Sequence, residues 1–279
     1  MNASIRPAGP RISHPVAASC LLLALLAGIS GAGHAQESNA TIQKGKQNQS
    51  GIIGGQKVEI GNVKGSGRSE TRVGKIEQSQ KGLLNKQSLS VGNVSGSGSS
   101  RVNLGSIQQS QSGMLNRQSA EIGNVSGSGQ ADVTISNVTQ TQSGTGNVQI
   151  LRVGNVESSG SSQVSVGSVR QSQSGAFGKQ NTEIGNVKGG GSARVSVGSV
   201  NQSQSGSFNR QDVRLGNSKG GSTNVSVGKV SQSQIGFVNK SKVEIGNSDN
   251  GGNTSVSVGN VIQSQSGAFG NKKVRIGNN

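Results

Sequence analysis

Along most of the chain after residue 36, polar and apolar residues alternate with a period close to two. After Gln204, the residues Asn209, Gln211, Val213 and Leu215 share one parity, while Arg210, Asp212 and Arg214 share the other. The same separation sets Asn85, Gln87, Leu89 and Val91 against Lys86, Ser88 and Ser90. Alternation of this kind, with β-branched residues on one side, predicts strands buried on one face. No stretch after residue 36 sustains a helical period. On the preceding arm, Val195 and Val197 share a parity, and Val200, Gln202 and Gln204 share one, but the two sets are out of step. The Gly198-Ser199 between them predicts a bulge or a corner.

The pattern repeats. Gln-x-Gln begins at Gln47, Gln78, Gln109, Gln140, Gln171, Gln202, Gln232 and Gln263, in steps of 31 residues with a single step of 30. In phase with it, Ile/Val/Leu-Gly-Asn recurs at Ile60, Val91, Ile122, Val153, Ile184, Leu215, Ile245 and Ile276. The one missing residue falls in the Gly/Ser segment around Ser218 to Thr223 while the other spacings hold. Turns tolerate length changes and strand registers do not, so the Gly/Ser segments read as turns. Each copy is strand, turn, strand, turn, and the fold expected is an all-β solenoid of about eight 31-residue coils spanning residues 36–279. Whether each coil is two-sided or bent at glycine into more sides is open at this level.

One coil carries too little apolar bulk to fold alone: Val195, Val197, Val200, Phe208, Val213 and Leu215 in the sixth. Stacked coils share the burden, placing identical side chains over one another as Val, Asn and Gln ladders. Inward Gln204, Asn209 and Gln211 are expected to pair within such ladders. The apolar turn positions Ile53, Leu84, Leu115, Phe177, Phe208 and Phe269 are expected to close the arch as a hydrophobic ladder, in preference to forming a ligand-binding stripe.

Composition fits this picture and narrows it. Of 279 residues, 46 are Gly, 4 are Phe, none is Tyr or Trp, and 29% are hydrophobic, which leaves either disorder or regular backbone pairing. The fixed repeat favours pairing. Residues 1–35 carry Arg6 and Arg11, then 14 mostly apolar residues from Val16 to Ile29, then Gly33-His34-Ala35. This is the three-part pattern of a secretory signal peptide cleaved after Ala35, and the run is too short to cross a bilayer. Cys20, His14 and His34 leave with it, so residues 36–279 hold no Cys or His. Disulfides, thiolate or imidazole catalysis and N/S-ligand zinc sites are thereby excluded. The 11 acids are scattered without a local pair, so no catalytic site, metal site or cofactor is expected and the chain is not read as an enzyme.

Removing the signal leaves 25 basic residues against 11 acidic, a net charge of +14. Part of this charge is ordered. Ten places after the second Gln of each pair, from the third copy onward, stand Glu121, Arg152, Glu183, Arg214, Glu244 and Arg275, alternating in sign. Coils stacked in register about 4.8 Å apart would place each acid between bases, forming an inter-coil charge column. A second, outward column is wholly basic: Lys86, Arg117, Lys179, Arg210 and Lys240. These are candidates for contact with extracellular DNA or an acidic polysaccharide, or are a solvated face that restrains edge pairing. No aromatic interleaving supports base-specific recognition.

The turn motif Gln-x-Gly-x-x-Asn appears as Gln80, Gly82, Asn85; Gln111, Gly113, Asn116; Gln142, Gly144, Asn147; Gln204, Gly206, Asn209; and Gln234, Gly236, Asn239. It resembles the repeat core of curlins, the subunits of curli-type functional amyloid. Gly54, Gly178 and Gly270 depart from the pattern by replacing the Asn, and the coil is longer than the family's usual repeat. The resemblance implies a β-solenoid with internal Gln and Asn ladders that polymerises outside the cell into biofilm fibres, with itself as partner and with a nucleator or secretion channel. The function expected is self-assembly by edge addition; the alternative is a monomeric extracellular adhesin or polyanion-binding solenoid. The last coil ends at Ile276-Gly277-Asn278-Asn279 without an evident cap, and the first, with Gly45 where others have Val or Ile, reads as a cap or an export signal.

Overall fold

The structure, a computed structural model, describes residues 37–50 and 55–277. The expected signal peptide and Ile53 lie outside the described residues, as does Gly54. Every regular element among the described residues is a β-strand.

The sixth coil shows the plan: a long strand Ser192–Ser205, an arch, a shorter strand Asn209–Leu215, and a two-residue strand Ser218–Lys219. Eight long strands pair in chain order into one parallel sheet, and eight short strands into a second. The result is a parallel β-solenoid of seven complete coils, with an eighth represented by its long and short strands, Asn253–Ser266 and Phe269–Ile276. Equivalent residues stack directly, as Gln171 on Gln202 and Gln202 on Gln232. The missing residue lies between Lys219 and Ser222, because Lys188 pairs with Lys219 but Ser192 pairs with Ser222.

The Gly/Ser segments are more than turns. Val63–Lys64, Val94–Ser95 and Val125–Ser126 form one short ladder, Val187–Lys188, Ser218–Lys219 and Ser248–Asp249 another, and bridges through Val156 join the two. The coil is therefore three-sided. In the first five coils this third side is anchored by Val63, Val94, Val125, Val156 and Val187, which turn into the core at no more than 3% exposure; Ser218 and Ser248 take that place in the next two. The Gly-rich residues that follow limit the pairing to two residues per coil.

The expected corner falls inside the long strand. Ala193, Val195 and Val197 point inward, then Val200, Gln202 and Gln204 do, and Gly198 between them takes the parity change. A Cβ on Gly198 would lie 2.4 Å from the carbonyl oxygen of Gly167 one coil below, so stacked glycines let the backbones close here. Inside, the coil is zoned. Val195, Val197 and Val200 meet Val213 and Leu215 in an apolar half, whereas Gln202, Gln204, Asn209 and Gln211 fill the half nearest the arch.

Candidate functional site

The arch is built by the Gln-x-Gly-x-x-Asn motif. The Asn side chain donates back to the Gly carbonyl, as Asn116 does to Gly113, Asn147 to Gly144, Asn209 to Gly206 and Asn239 to Gly236. The Gln reaches across to the carbonyl six residues on, Gln111 to Arg117 at 3.0 Å, Gln142 to Val148 at 2.9 Å, Gln204 to Arg210 at 3.3 Å and Gln234 to Lys240 at 3.0 Å. Both strands are thus tied at their mouths by buried amides. Gln80 and Asn85 of the second coil are buried in the same places, and Gly82 turns the chain with a φ of 108°.

The same amides stack. The first Gln of each pair forms an unbroken ladder from Gln47 to Gln263, each Nε2 donating to the Oε1 one coil below at 2.7–3.2 Å. A second ladder on the opposite wall runs through Gln56, Gln87, Gln118, Gln149, Gln180 and Gln211. A third uses the Asn of the Ile-Gly-Asn motif: Asn93 donates both its backbone N–H and its side chain to Asn62 Oδ1, and Asn124, Asn155, Asn186, Asn217 and Asn247 repeat the arrangement. Sequence reasoning used these Asn residues only as phase markers, although their fixed 31-residue recurrence was itself the signal of a ladder.

The arch ladder is interrupted in its middle. Gly178 interrupts the Asn column in the fifth coil, and Gln142 Oε1, Asn147 Oδ1, Gln173 Nε2 and Asn209 Oδ1 around it find no partner among the described residues. Below the gap, Asn116 and Asn147 donate downward; above it, Asn209 donates upward to Asn239. Replacing Gly178 by Asn should reconnect the column. The atoms nearest an introduced Cβ are side-chain amide groups, Asn209 Oδ1 at 2.8 Å, Gln204 Nε2 at 3.0 Å and Gln173 Cδ at 3.4 Å, which must shift to admit it. Buried orphans cost about 1–3 kcal/mol each, so G178N is expected to stabilise the fold by about 1 kcal/mol in urea unfolding; a destabilised variant would contradict the ladder reading.

The structure brings the charge column together. Arg152 lies 3.0 Å from Glu121 and 3.1 Å from Glu183, and Arg214 lies 3.0 Å from Glu183 and 3.3 Å from Glu244. Arg275 approaches Glu244 at 3.9 Å. Burial pushes the Glu183 carboxyl up, but the hydrogen bonds from Asn181 and Arg152 and the charges of Arg152 and Arg214 outweigh it and hold it below its ordinary value. Glu244 is likewise pushed up by burial and held down by Lys242 and Arg214. Depressed carboxylates contribute stability above the ordinary glutamate value of 4.5 and lose it as pH falls through their lower folded values. With no His in residues 36–279, melting temperature is expected to hold steady from about pH 7 to 5 and fall on further acidification, less steeply in R152Q/R214Q. An identical acid limb in that variant would contradict the assignment.

Lys86, Arg117, Lys179, Arg210 and Lys240 all lie exposed on the flank of the arch. The apolar turn residues do not close it. Leu84, Leu115, Phe177, Phe208 and Phe269 are 45–68% exposed at the tip, because the amides already fill the space beneath. Leu83, Met114, Ile235 and Phe237, which the sequence reading did not single out, extend the stripe. Phe177 and Phe208 stack at 5.9 Å between ring centroids, and Phe237 meets Phe208 edge-on at 6.3 Å.

The remaining surface is the end of the stack. Val274 and Ile276 of the eighth coil are 44% and 41% exposed, whereas Val243 and Ile245, their equivalents one coil below, are fully buried. Among the described residues no cluster of potential metal ligands occurs, and no helix is long and apolar enough to cross a membrane. The fold and its ladders define a parallel β-solenoid of polar, amide-laddered type. No protein family, no curated protein and no solved structure matches the chain.

Proposed function

We propose that this is a secreted structural protein whose solenoids stack end on end into extracellular fibres, as the resemblance to curlins implies. The observation that carries the reading is the complementarity of the two end coils. Extending the observed register by one coil sets Ile276 over Ile60, Val274 over Val58 and Arg275 over Glu59 of a second copy. Arg275 then meets an acid, continuing the alternation of the charge column. Gln263 and Gln265 meet Gln47 and Gln49, and the ladder is directional, so the Gln47 amide of the incoming copy faces the Gln263 oxygen. A head-to-head junction would oppose acceptor to acceptor. Uncovered strands also offer backbone N–H and C=O groups to the next copy.

The experiment is seeded elongation of residues 36–279 followed by electron microscopy. Arg275→Glu is expected to slow elongation by about tenfold through repulsion at Glu59, and Glu59→Arg in the same chain to restore it. Equal elongation of R275E and wild type, or a monomer after prolonged incubation, would overturn the reading.

A further inference from the structure

The arch tips present a combination that the stacking of coils uses only in part: Phe177, Phe208 and Phe237 touch across coils and still stand more than half exposed. Nine apolar side chains from Leu83 to Phe269 stand 39–68% exposed along the arch edge, in every coil from the second to the eighth except the fourth, over a length of about 29 Å for six coil steps. The cations Lys81, Lys86, Arg117, Lys179, Arg210 and Lys240 flank them, while residues 81–86, 112–117, 143–148, 174–179, 205–210, 235–240 and 266–271 contain no acid.

Neither the core nor the turn accounts for the apolar residues. They add little to the buried cluster. Leu84, Leu115 and Phe208 also hold φ of 57°, 50° and 43°, a left-handed conformation that bulky side chains rarely adopt. In the fourth coil the equivalent position is Gly146, with φ 76°, so the arch forms without an apolar side chain there. A strained, exposed and aligned apolar residue points to recognition.

We infer that the arch edge docks on the surface of an anionic lipid layer, with the leucine and phenylalanine tips entering the acyl boundary and the flanking cations meeting the headgroups. The stripe follows the stacked arch tips along one edge, interrupted at Thr145-Gly146, and its exposed flank is basic, the one acid beside it being Asp212, buried against Arg210 at 2.8 Å. A soluble polyanion would engage the cations but leave the apolar line in water. A second copy pairing stripe to stripe would bring two cationic columns together. This site is separate from the end faces and stands whether or not fibres grow.

The test uses freshly purified, unassembled residues 36–279 with phosphatidylglycerol or phosphatidylcholine vesicles. The chain has no Trp or Tyr, so Phe237→Trp supplies a single fluorescent reporter at an exposed tip. Expected are co-sedimentation with phosphatidylglycerol and not with phosphatidylcholine, and a blue-shifted emission on binding. Lys86→Gln, Lys179→Gln and Lys240→Gln together should weaken binding by about a hundredfold. Phe177→Ser with Phe208→Gly, made in the Phe237→Trp chain, should weaken it by about tenfold with the circular dichroism spectrum and melting not reduced, since both residues lie outside the core and glycine relieves the φ of Phe208. Three results would overturn the inference: no binding to phosphatidylglycerol, binding without a blue shift that the phenylalanine changes leave intact, or stripe variants that alter only the oligomeric state without vesicles. The second would assign the column to soluble polyanions and the third would assign the stripe to a lateral copy.

Discussion

Alanine at Gly185 is expected to destabilise the solenoid by about 2–5 kcal/mol and lower its melting temperature by roughly 5–15 °C. Gly185 ends the short strand of the fifth coil with φ 62°, and a Cβ there would lie 1.8 Å from Val195 Cγ2. Two effects add: the left-handed backbone disfavours any side chain, and the valine cannot retreat because it is sandwiched between Val164 and Val225. Each coil contacts chiefly its neighbours, so hydrogen exchange should rise first around residues 180–200. Gly190→Ala is the control. Its Cβ meets nothing within 4 Å and its φ is ordinary, so it should change stability by less than about 0.5 kcal/mol. Equal melting of G185A and wild type would show that the end of the short strand does not pack against the long strand as described.

The second large effect is expected at Gln171. Its Oε1 accepts from Gln202 at 2.7 Å and from Thr182 at 2.8 Å, and its Nε2 donates to Gln140 at 2.7 Å. Leucine at this position would keep the volume and remove all three bonds, leaving the Gln140 oxygen without a donor inside the core. A loss of about 2–4 kcal/mol in urea unfolding is expected. Gln173 is the comparison, buried to a similar degree, but with its Nε2 already unpartnered and a single inter-coil bond, from Gln204 at 3.0 Å. Q173L should therefore cost markedly less than Q171L. Equal costs would mean that amide volume, not the ladder, supports this half of the core.

Much of this architecture is legible in the sequence because a solenoid copies its register. Parity located the strands, the break of parity at Gly198-Ser199 located the corner, and the short step located the deletion near Lys219. The repeat spacing, 31 residues with one step of 30, also sets Arg152 and Arg214 among glutamates. The third side was not legible. A two-residue strand has no period, and its only mark is a single Val three places after the Ile or Val of the Gly-Asn motif in the first five coils, replaced by Ser218 and Ser248 in the next two. The arch tips were misplaced for a different reason: a hydrophobic residue in a turn was assigned to the interior by type. Parity gave the opposite answer, since Phe208 falls with Arg210 and Leu84 with Lys86. Amides, not aromatic rings, fill the arch, so the rings face water. The defect at Gly178 was visible as a departure from the motif, but its consequence, four orphaned amide atoms, depends on the stack.

The central claim is that one solenoid continues into the next along a single axis. Cryo-electron microscopy of fibres grown from residues 36–279 tests it most directly. Eight coils at about 4.8 Å predict strands perpendicular to the fibre axis and one subunit per roughly 38 Å of axial length, with Arg275 of one copy beside Glu59 of the next. Solenoid axes lying across the fibre, or an axial repeat unrelated to eight coils, would contradict it.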